Sequence, residues 1–478
     1  VEGRAIAGTA PASGDERPAS PRDPASPPPG GPPLRLHEAN TRYLELDGKP
    51  VVLITSGEHY GALLNLDFDY ERYLETLGKE GFNLTRVFSG AYVEPQGAFN
   101  IARNTLAPAR DRFIAPWARS DTKGYANGGN KFDLARFNEA YFERLEKLMT
   151  AAEKHGVVVE LVLFCPFYKD DQWVLSPMNA KNNVNGVGAI ERESVYTLDR
   201  NGDLLEIQEK MTREIVRRLN RFRNLYYEVC NEPYFGGVTD AWQRRITDVI
   251  VETERELPVK HLISWNIANG KAKVEKPHPA VSIFNFHYAS PPDAVALNAH
   301  LERVIGDNET GFKGTGDDHY RMEGWEFILA GGGLYNHLDY SFVVGLENGT
   351  FEFPETQPGG GGPALRKQLR ALSELIHSFD FVRMAPDRKA VRADEKDAKV
   401  TALVEPGRQY AIYVRGGTKG SVGIELPPGE YRAEWLDPKS AKKLGSKEIT
   451  VAPDAKVTTF APPSYPGEIA LAVRRKDK

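Results

Sequence analysis

Residues 225–234 read Leu-Tyr-Tyr-Glu-Val-Cys-Asn-Glu-Pro-Tyr, an apolar and aromatic run of strand length that stops at Asn231-Glu232-Pro233. Proline cannot donate to a sheet ladder, and it biases the residue before it toward an extended conformation, so Glu232 is expected at the C-terminal tip of a buried strand. In a barrel of parallel strands those tips surround the active-site mouth. A carboxyl placed there commonly works with a second one from another strand end.

Outward from this stretch the chain alternates. Strand-like runs at 51–55, 83–88, 157–164, 225–230, 261–266, 281–287, 304–307 and 338–343 are mostly separated by helical patterns at 69–79, 133–155, 204–222, 239–256, 293–303 and 318–330. A last helical pattern follows at 364–379. Eight such units in order imply a closed (β/α)8 TIM barrel over residues 34–385 rather than an open doubly wound sheet. After Pro386 the texture changes to short alternating runs broken by Gly, Pro and Asp about every ten residues. That pattern predicts a small all-β sandwich over 386–478. Residues 1–33 are rich in Pro, Ala, Ser and Gly and have almost no large apolar side chains to offset ordering entropy, which predicts a disordered leader. No export signal is visible in the polar opening. The leader fits a tether behind a removed signal and equally a cloning or gene-prediction remnant.

Composition narrows the partners. Net charge is −5, from 61 basic and 66 acidic residues, with no basic block, which argues against nucleic acid or a membrane surface as partner. No apolar run approaches the roughly 18 residues of a membrane span. Cys165 and Cys230, each near a strand end, are expected to be buried free thiols; whether they bond is open. Phosphate loops, zinc-helix motifs and nucleophile elbows are absent, so neither a cofactor nor a metal is expected. The sequence leaves the oligomeric state open.

The string around Asn231-Glu232-Pro233 resembles the fourth strand of the clan A glycoside hydrolases, of the cellulase and apiosidase kind. The resemblance covers about residues 34–385. It implies a retaining hydrolase of O-glycosidic bonds, a carbohydrate substrate, Glu232 as general acid/base and Asn231 as a contact to the sugar 2-hydroxyl. It also implies a nucleophile at the end of strand seven, where the chain reads Ile305-Gly306-Asp307-Asn308-Glu309-Thr310-Gly311. Glu309 followed by Thr310-Gly311 looks like the family ending, whereas alignment on Ile-Gly selects Asp307, so both remain candidates with Glu309 preferred. The segment 431–438 is similar to a small C-terminal β domain found on several such barrels, some of them assigned to collagen or carbohydrate binding. Secretion or a bacterial periplasmic location is the setting this activity implies.

Supporting residues follow from position. Arg86 ends strand two facing inward and needs an acidic partner, which Glu228 supplies from four residues before Glu232. One of the two carboxyls must be protonated, so its pKa is expected to be raised; the other must stay ionised beside a cation or donors. His287-Tyr288 at the end of strand six resembles the His-Tyr endings of the clan. Trp265 after strand five and Trp173 in the loop after strand three are candidates for stacking on sugar, with Trp117 and Tyr234 behind them. Glu58-His59-Tyr60 after strand one is a further candidate for substrate contact. The rival expectation is a non-hydrolytic carbohydrate- or matrix-binding protein with a degenerate barrel, separable by the distance between the carboxyls.

Overall fold

A computed structural model describes residues 31–387 and 389–476. All but three residues of the predicted leader, which runs from 1 to 33, lie outside the described residues.

Eight parallel strands form the centre: β1 (Leu53–Gly57), β2 (Leu84–Phe88), β3 (Val158–Phe164), β4 (Leu225–Cys230), β5 (Leu262–Asn269), β6 (Val281–His287), β7 (Val304–Thr310) and β8 (Leu334–Leu338). They are joined in the order β1-β8-β7-β6-β5-β4-β3-β2, the topology of a (β/α)8 barrel. The strands are buried on both faces, which is why β3 reads as the unbroken run Val-Val-Glu-Leu-Val-Leu-Phe. The seam between β1 and β2 is bridged by a side chain: the Asn83 amide accepts from Ile54 N (2.9 Å) and donates to Val52 O (2.9 Å).

Helices α1 (Tyr70–Glu80), α2 (Glu139–Lys154), α3 (Leu205–Leu219), α4 (Asp240–Arg255), α5 (Asp293–Leu297), α6 (Asp317–Leu329) and α7 (Pro363–His377) cover the barrel. Local chemistry sets their ends. Asp69 caps α1 by accepting from Arg72 N, and Gly81 takes the left-handed conformation (φ 83°) that closes its last turn. Below the strands, Leu34 and Leu44 of a short antiparallel lead-in pack on Leu53, Leu84, Val158, Tyr226, Ile283, Val304 and Leu334, plugging the N-terminal end. The opposite rim, at the C-terminal ends of the strands, is therefore the one left open for a site.

Three expectations are corrected. The eighth strand is Leu334–Leu338, not 338–343, because Asn336 and His337 interrupt the apolar run that the sequence reading followed. Residues 133–137 belong to a hairpin of Trp117–Lys123 with Asn130–Phe137, so α2 begins only at Glu139. The helix expected over 293–303 is cut to five residues in α5.

Beyond α7 the chain forms antiparallel sheets. Strands β9 (Lys399–Glu405), β10 (Gln409–Arg415), β11 (Gly429–Asp437), β12 (Lys442–Val451) and β13 (Glu468–Arg475) join Ala385–Pro386 in a six-stranded sheet, and a three-stranded sheet shares its core through Val422, Ile424 and Phe460. This region docks on α6. Trp325 stacks on Tyr413 (5.5 Å), Arg415 pairs with Glu326 (2.8 Å), and the buried Arg321 donates from Nε to Glu468 (2.9 Å), which also accepts from Tyr413. Removing one partner of a buried pair strands the other charge at a cost of about 3–5 kcal/mol. Glu468→Ala is therefore expected to lower the thermal midpoint by several degrees, read by calorimetry; an unchanged midpoint would remove this contact from the docking argument.

Candidate active site

The interior of the barrel is organised around Arg86 on β2. Its side chain has no solvent exposure, so its charge must be answered locally. Nη2 donates to Glu228 on β4 and to Asn231 Oδ1 (2.6 Å), Nη1 donates to Glu309 Oε2 (3.0 Å), and the guanidinium lies 4.7 Å from the ring centre of Tyr60. A third acid, Glu160 on β3, stands 3.8 Å from Nε. The amides of Asn285 and Asn308 donate to both Glu160 and Glu228, tying four strands together. Gly306 makes this possible, since any side chain there would collide with Asn285. Burial, then the charge of Glu228, pushes the Glu160 carboxyl well above the usual carboxylate range.

Above this floor stand Glu232 and Glu309. The ladder between β7 and β8 shifts register between Asp307 and Thr310, and the one between β6 and β7 shifts beside Glu309. This irregularity turns both Asn308 and Glu309 toward the barrel axis. Asp307 points away: it accepts from Ala289 N (3.3 Å), and burial followed by the charge of Glu323 on α6 raises its pKa strongly. The structure does not bring Asp307 to the pocket.

Glu309 accepts from Arg86 and from the Tyr288 hydroxyl (3.0 Å). Glu232 accepts from Tyr168 (2.6 Å) and Tyr234 (3.3 Å), and His287 Nδ1 lies 3.1 Å away. His287 Nδ1 is also 3.7 Å from Glu309. Burial acts to raise the Glu232 pKa, but the hydrogen bond and charge of His287, with Tyr168 and Tyr234, outweigh it and hold the carboxyl below its ordinary value. The raised pKa expected of one member of the pair is thus not found at Glu232. Nor is its backbone extended: φ is +35°, held by a hydrogen bond from Glu232 N to Asn266 Oδ1 (3.0 Å). Tyr60 (φ 67°) and Tyr288 (φ 53°) on the same rim share this left-handed conformation.

The carboxylates open into a cavity of about 400 Å³. Its walls carry His59, Tyr60, Glu94, Tyr168, Tyr288 and Phe312. Trp265 and Trp173 do not line it. Trp265 packs outward with its indole N–H on Thr247 of α4, and Trp173 donates to Ile190 O within its own loop. Trp117 is also buried away from the cavity, and Glu58 folds back to accept from Gly61 N, Ala62 N and Thr105. Tyr234 and Phe235 are 37% and 44% exposed at the mouth. Sequence reasoning missed Tyr168, Glu94, Glu160, Asn266 and Asn308. A charged residue inside the apolar run of β3 was a signal for Glu160; Tyr168 and Glu94 lie in loops without periodicity.

Among the described residues, one trio of metal-ligating groups is close enough to share an ion: Glu232, His287 and Glu309, with one ligand atom from each all within 4.8 Å of one another. In this arrangement Arg86 already answers Glu309, and His287 and two tyrosines answer Glu232.

No protein-family model matches the chain, and no curated protein matches it in sequence. Solved structures do resemble it. A candidate glycoside hydrolase from Bacteroides vulgatus superposes with a TM-score of 0.67 at 16% identity, over 93% of this chain and 82% of the other. A glycoside hydrolase family 5 structure from the same organism gives 0.62 at 16% identity, over 93% and 94%. A third, described as a glycoside hydrolase, gives 0.62 at 14% identity, over 94% and 98%. At these identities the likeness establishes the shared fold.

Proposed function

We propose that the protein is a retaining glycoside hydrolase of clan A type that cleaves an O-glycosidic bond by double displacement, with Glu309 as nucleophile and Glu232 as acid/base. The observation that carries this reading is the separation of the pair: a carboxylate oxygen of Glu232 and one of Glu309 lie within 4.8 Å. Retaining enzymes hold their carboxyls about 5–5.5 Å apart, while inverting ones leave roughly 6.5–9.5 Å for a water. The neighbouring folds carry the name glycoside hydrolase, which supports the hydrolase part of this reading. A degenerate binding barrel would have no reason to keep the pair and its donors assembled.

The roles follow from the surroundings. Glu309, held in place by a guanidinium and a phenol, is the carboxylate that attacks the anomeric carbon. Glu232 delivers its proton to the departing oxygen, then takes one from the water that hydrolyses the glycosyl-enzyme. Asn231, fixed by Arg86 and by its own donation to the Tyr168 hydroxyl (2.8 Å), is placed to meet a sugar hydroxyl beside the bond.

The experiment that tests this is release of reducing sugar from a broad panel of polysaccharides and aryl glycosides, with the anomer of the first product read by NMR. Retention of configuration is expected; inversion would refute the mechanism. A chelator in the assay is expected to leave the rate unchanged, and loss of activity that a divalent ion restores would move the trio to metal chemistry.

The pH profile follows from Glu232. Its depressed pKa means that the protonated, acid-competent form is lost as pH rises through a value below the ordinary carboxylate range, so kcat/KM is expected to fall early on the alkaline side. Tyr168→Phe removes one of the bonds that favour the ionised form of Glu232, and His287→Gln removes the largest of the contributions that lower its pKa. Both should shift the alkaline limb upward. A limb that stays in place, or moves down, would detach it from Glu232.

A further inference from the structure

The cavity has two unlike ends. On the side of the loops after β1 and β2 its lining is buried: His59, Tyr60, Tyr92, Glu94 and Leu106 are all at most 9% exposed. On the other side it opens past Phe235, Asn269 and Lys313, which are exposed. Glu232 belongs to the open side, since Tyr234, which donates to it, also donates to Asn269 Oδ1 there (2.5 Å). An acid protonates the leaving group, so the leaving group lies toward the mouth. The sugar that becomes attached to Glu309 then fills the blind end, against Tyr60 and His59.

Glu94 is the unexpected feature of that end. It is a third carboxyl lining the cavity, buried and held from behind by the Tyr92 hydroxyl (2.9 Å) and the Asn104 amide. His59 Nε2 stands 4.0 Å from Glu94 Oε2, too far for a hydrogen bond but a gap that one hydroxyl oxygen can span with ordinary bonds to both. His59 Nδ1 is buried with no partner among the described residues. A polar group so placed calls for a ligand or water. His59 is stacked between Tyr60 and Tyr340, which fixes its plane.

We propose that the pocket is exo-acting, and that Glu94 and His59 form the blind subsite that receives the terminal non-reducing sugar by sharing one of its hydroxyls. The inference rests on the hydrolase reading for the direction of cleavage, but the subsite can be tested apart from it. The volume fits, because about 400 Å³ lies near the small end of ligand pockets, which run from about 300 to 1,000 Å³. The charge state fits a neutral sugar: burial pushes Glu94 up to about 7 and His59 down to about 3, so that on the acid side of neutrality neither group carries charge. Glu94 is then a donor to a hydroxyl and His59 an acceptor. A uronate or an amino sugar would meet no counter-charge there.

The test has two readouts. Wild-type protein is incubated with oligosaccharides of several compositions whose reducing ends have been converted to alditols, and products are sized from the earliest times. Monosaccharide alone is expected first; fragments of intermediate length at the earliest times would overturn exo action. In parallel, glucose, mannose, galactose, xylose and arabinose are titrated by NMR into Glu309→Gln protein with and without Glu94→Ala, Glu94→Gln or His59→Gln. At least one sugar is expected to bind, with affinity about tenfold or more weaker in the Glu94 variants, as loss of a buried bond to a polar partner predicts. In the active background KM should rise by that factor while kcat changes much less. Should Glu94→Ala fail to fold, Glu94→Gln and His59→Gln decide. Binding that is absent, or indifferent to all three substitutions, would overturn the subsite even in an active hydrolase. Binding that depends on Glu94 in a protein that hydrolyses nothing would keep the subsite and end the hydrolase reading.

Discussion

Glu309→Gln is expected to reduce kcat/KM by roughly 10⁴-fold or more, because an amide cannot form the glycosyl-enzyme and no neighbouring carboxyl can replace it. Asp307, the nearest alternative in sequence, accepts from Ala289 N outside the cavity, and burial raises its pKa, so Asp307→Asn should leave the rate within a few-fold of wild type. Glu232→Gln should cost less, about 10²–10⁴-fold, the usual worth of general acid/base assistance. Its deficit should shrink on aryl glycosides with acidic phenols, since a good leaving group needs little protonation. Activity that survives Glu309→Gln but not Asp307→Asn would reassign the nucleophile. The measurement is steady-state turnover of each variant, with circular dichroism confirming the fold.

Arg86→Met is the substitution expected to injure both stability and activity. It deprives Glu228, Glu309 and Glu160 of the guanidinium they share, and uncompensated buried charge costs about 3–5 kcal/mol. The deficit should depend on pH. With the guanidinium gone, the buried carboxyls take folded-state pKa values above their unfolded ones, so the folded state binds more protons and its stability falls as pH rises past the ordinary carboxylate range. The gap between variant and wild type should therefore narrow in acid and widen toward neutrality in denaturation experiments. A gap that is constant with pH would mean Arg86 contributes by packing alone. Arg86→Lys should not rescue it, because one ammonium cannot reproduce a fork that reaches Glu228, Asn231 and Glu309 together.

These two residues also show what the sequence could and could not disclose. Arg86 and Glu228 were legible because strand alternation is a strict period, and a charge at an inward position must find a partner. Glu232 was legible because a proline ends its strand, although its left-handed backbone was not: the bond from its amide to Asn266 overrides the extended bias that proline imposes. The choice between Asp307 and Glu309 was undecidable from alternation, which puts both on one face. An inserted residue in the ladder separates them, and such a register shift leaves no trace in a count of every second residue. Trp265 and Trp173 were singled out as aromatics near strand ends, yet each indole N–H is taken up inside the protein. Their rings pack against helix and loop. The aromatic wall that does form, from Tyr60, Tyr168, Tyr288 and Phe312, comes mostly from residues after the strands, where position depends on loop path rather than on period.

The seam between β1 and β2 has a mechanical consequence. Every other neighbouring pair of barrel strands is joined by a ladder, whereas here the Asn83 amide and the bond from Phe88 N to Tyr60 O (3.1 Å) span the join. Fluctuations of a closed sheet concentrate where its cross-links are fewest. Amide protons of β1 and β2 along this join should exchange with deuterium sooner than those of β3 and β4. Tyr60 stands on one lip of the join and Arg86 on the other, so an occupant of the blind end would act as a clasp across it, and slower exchange there would report occupancy without any turnover.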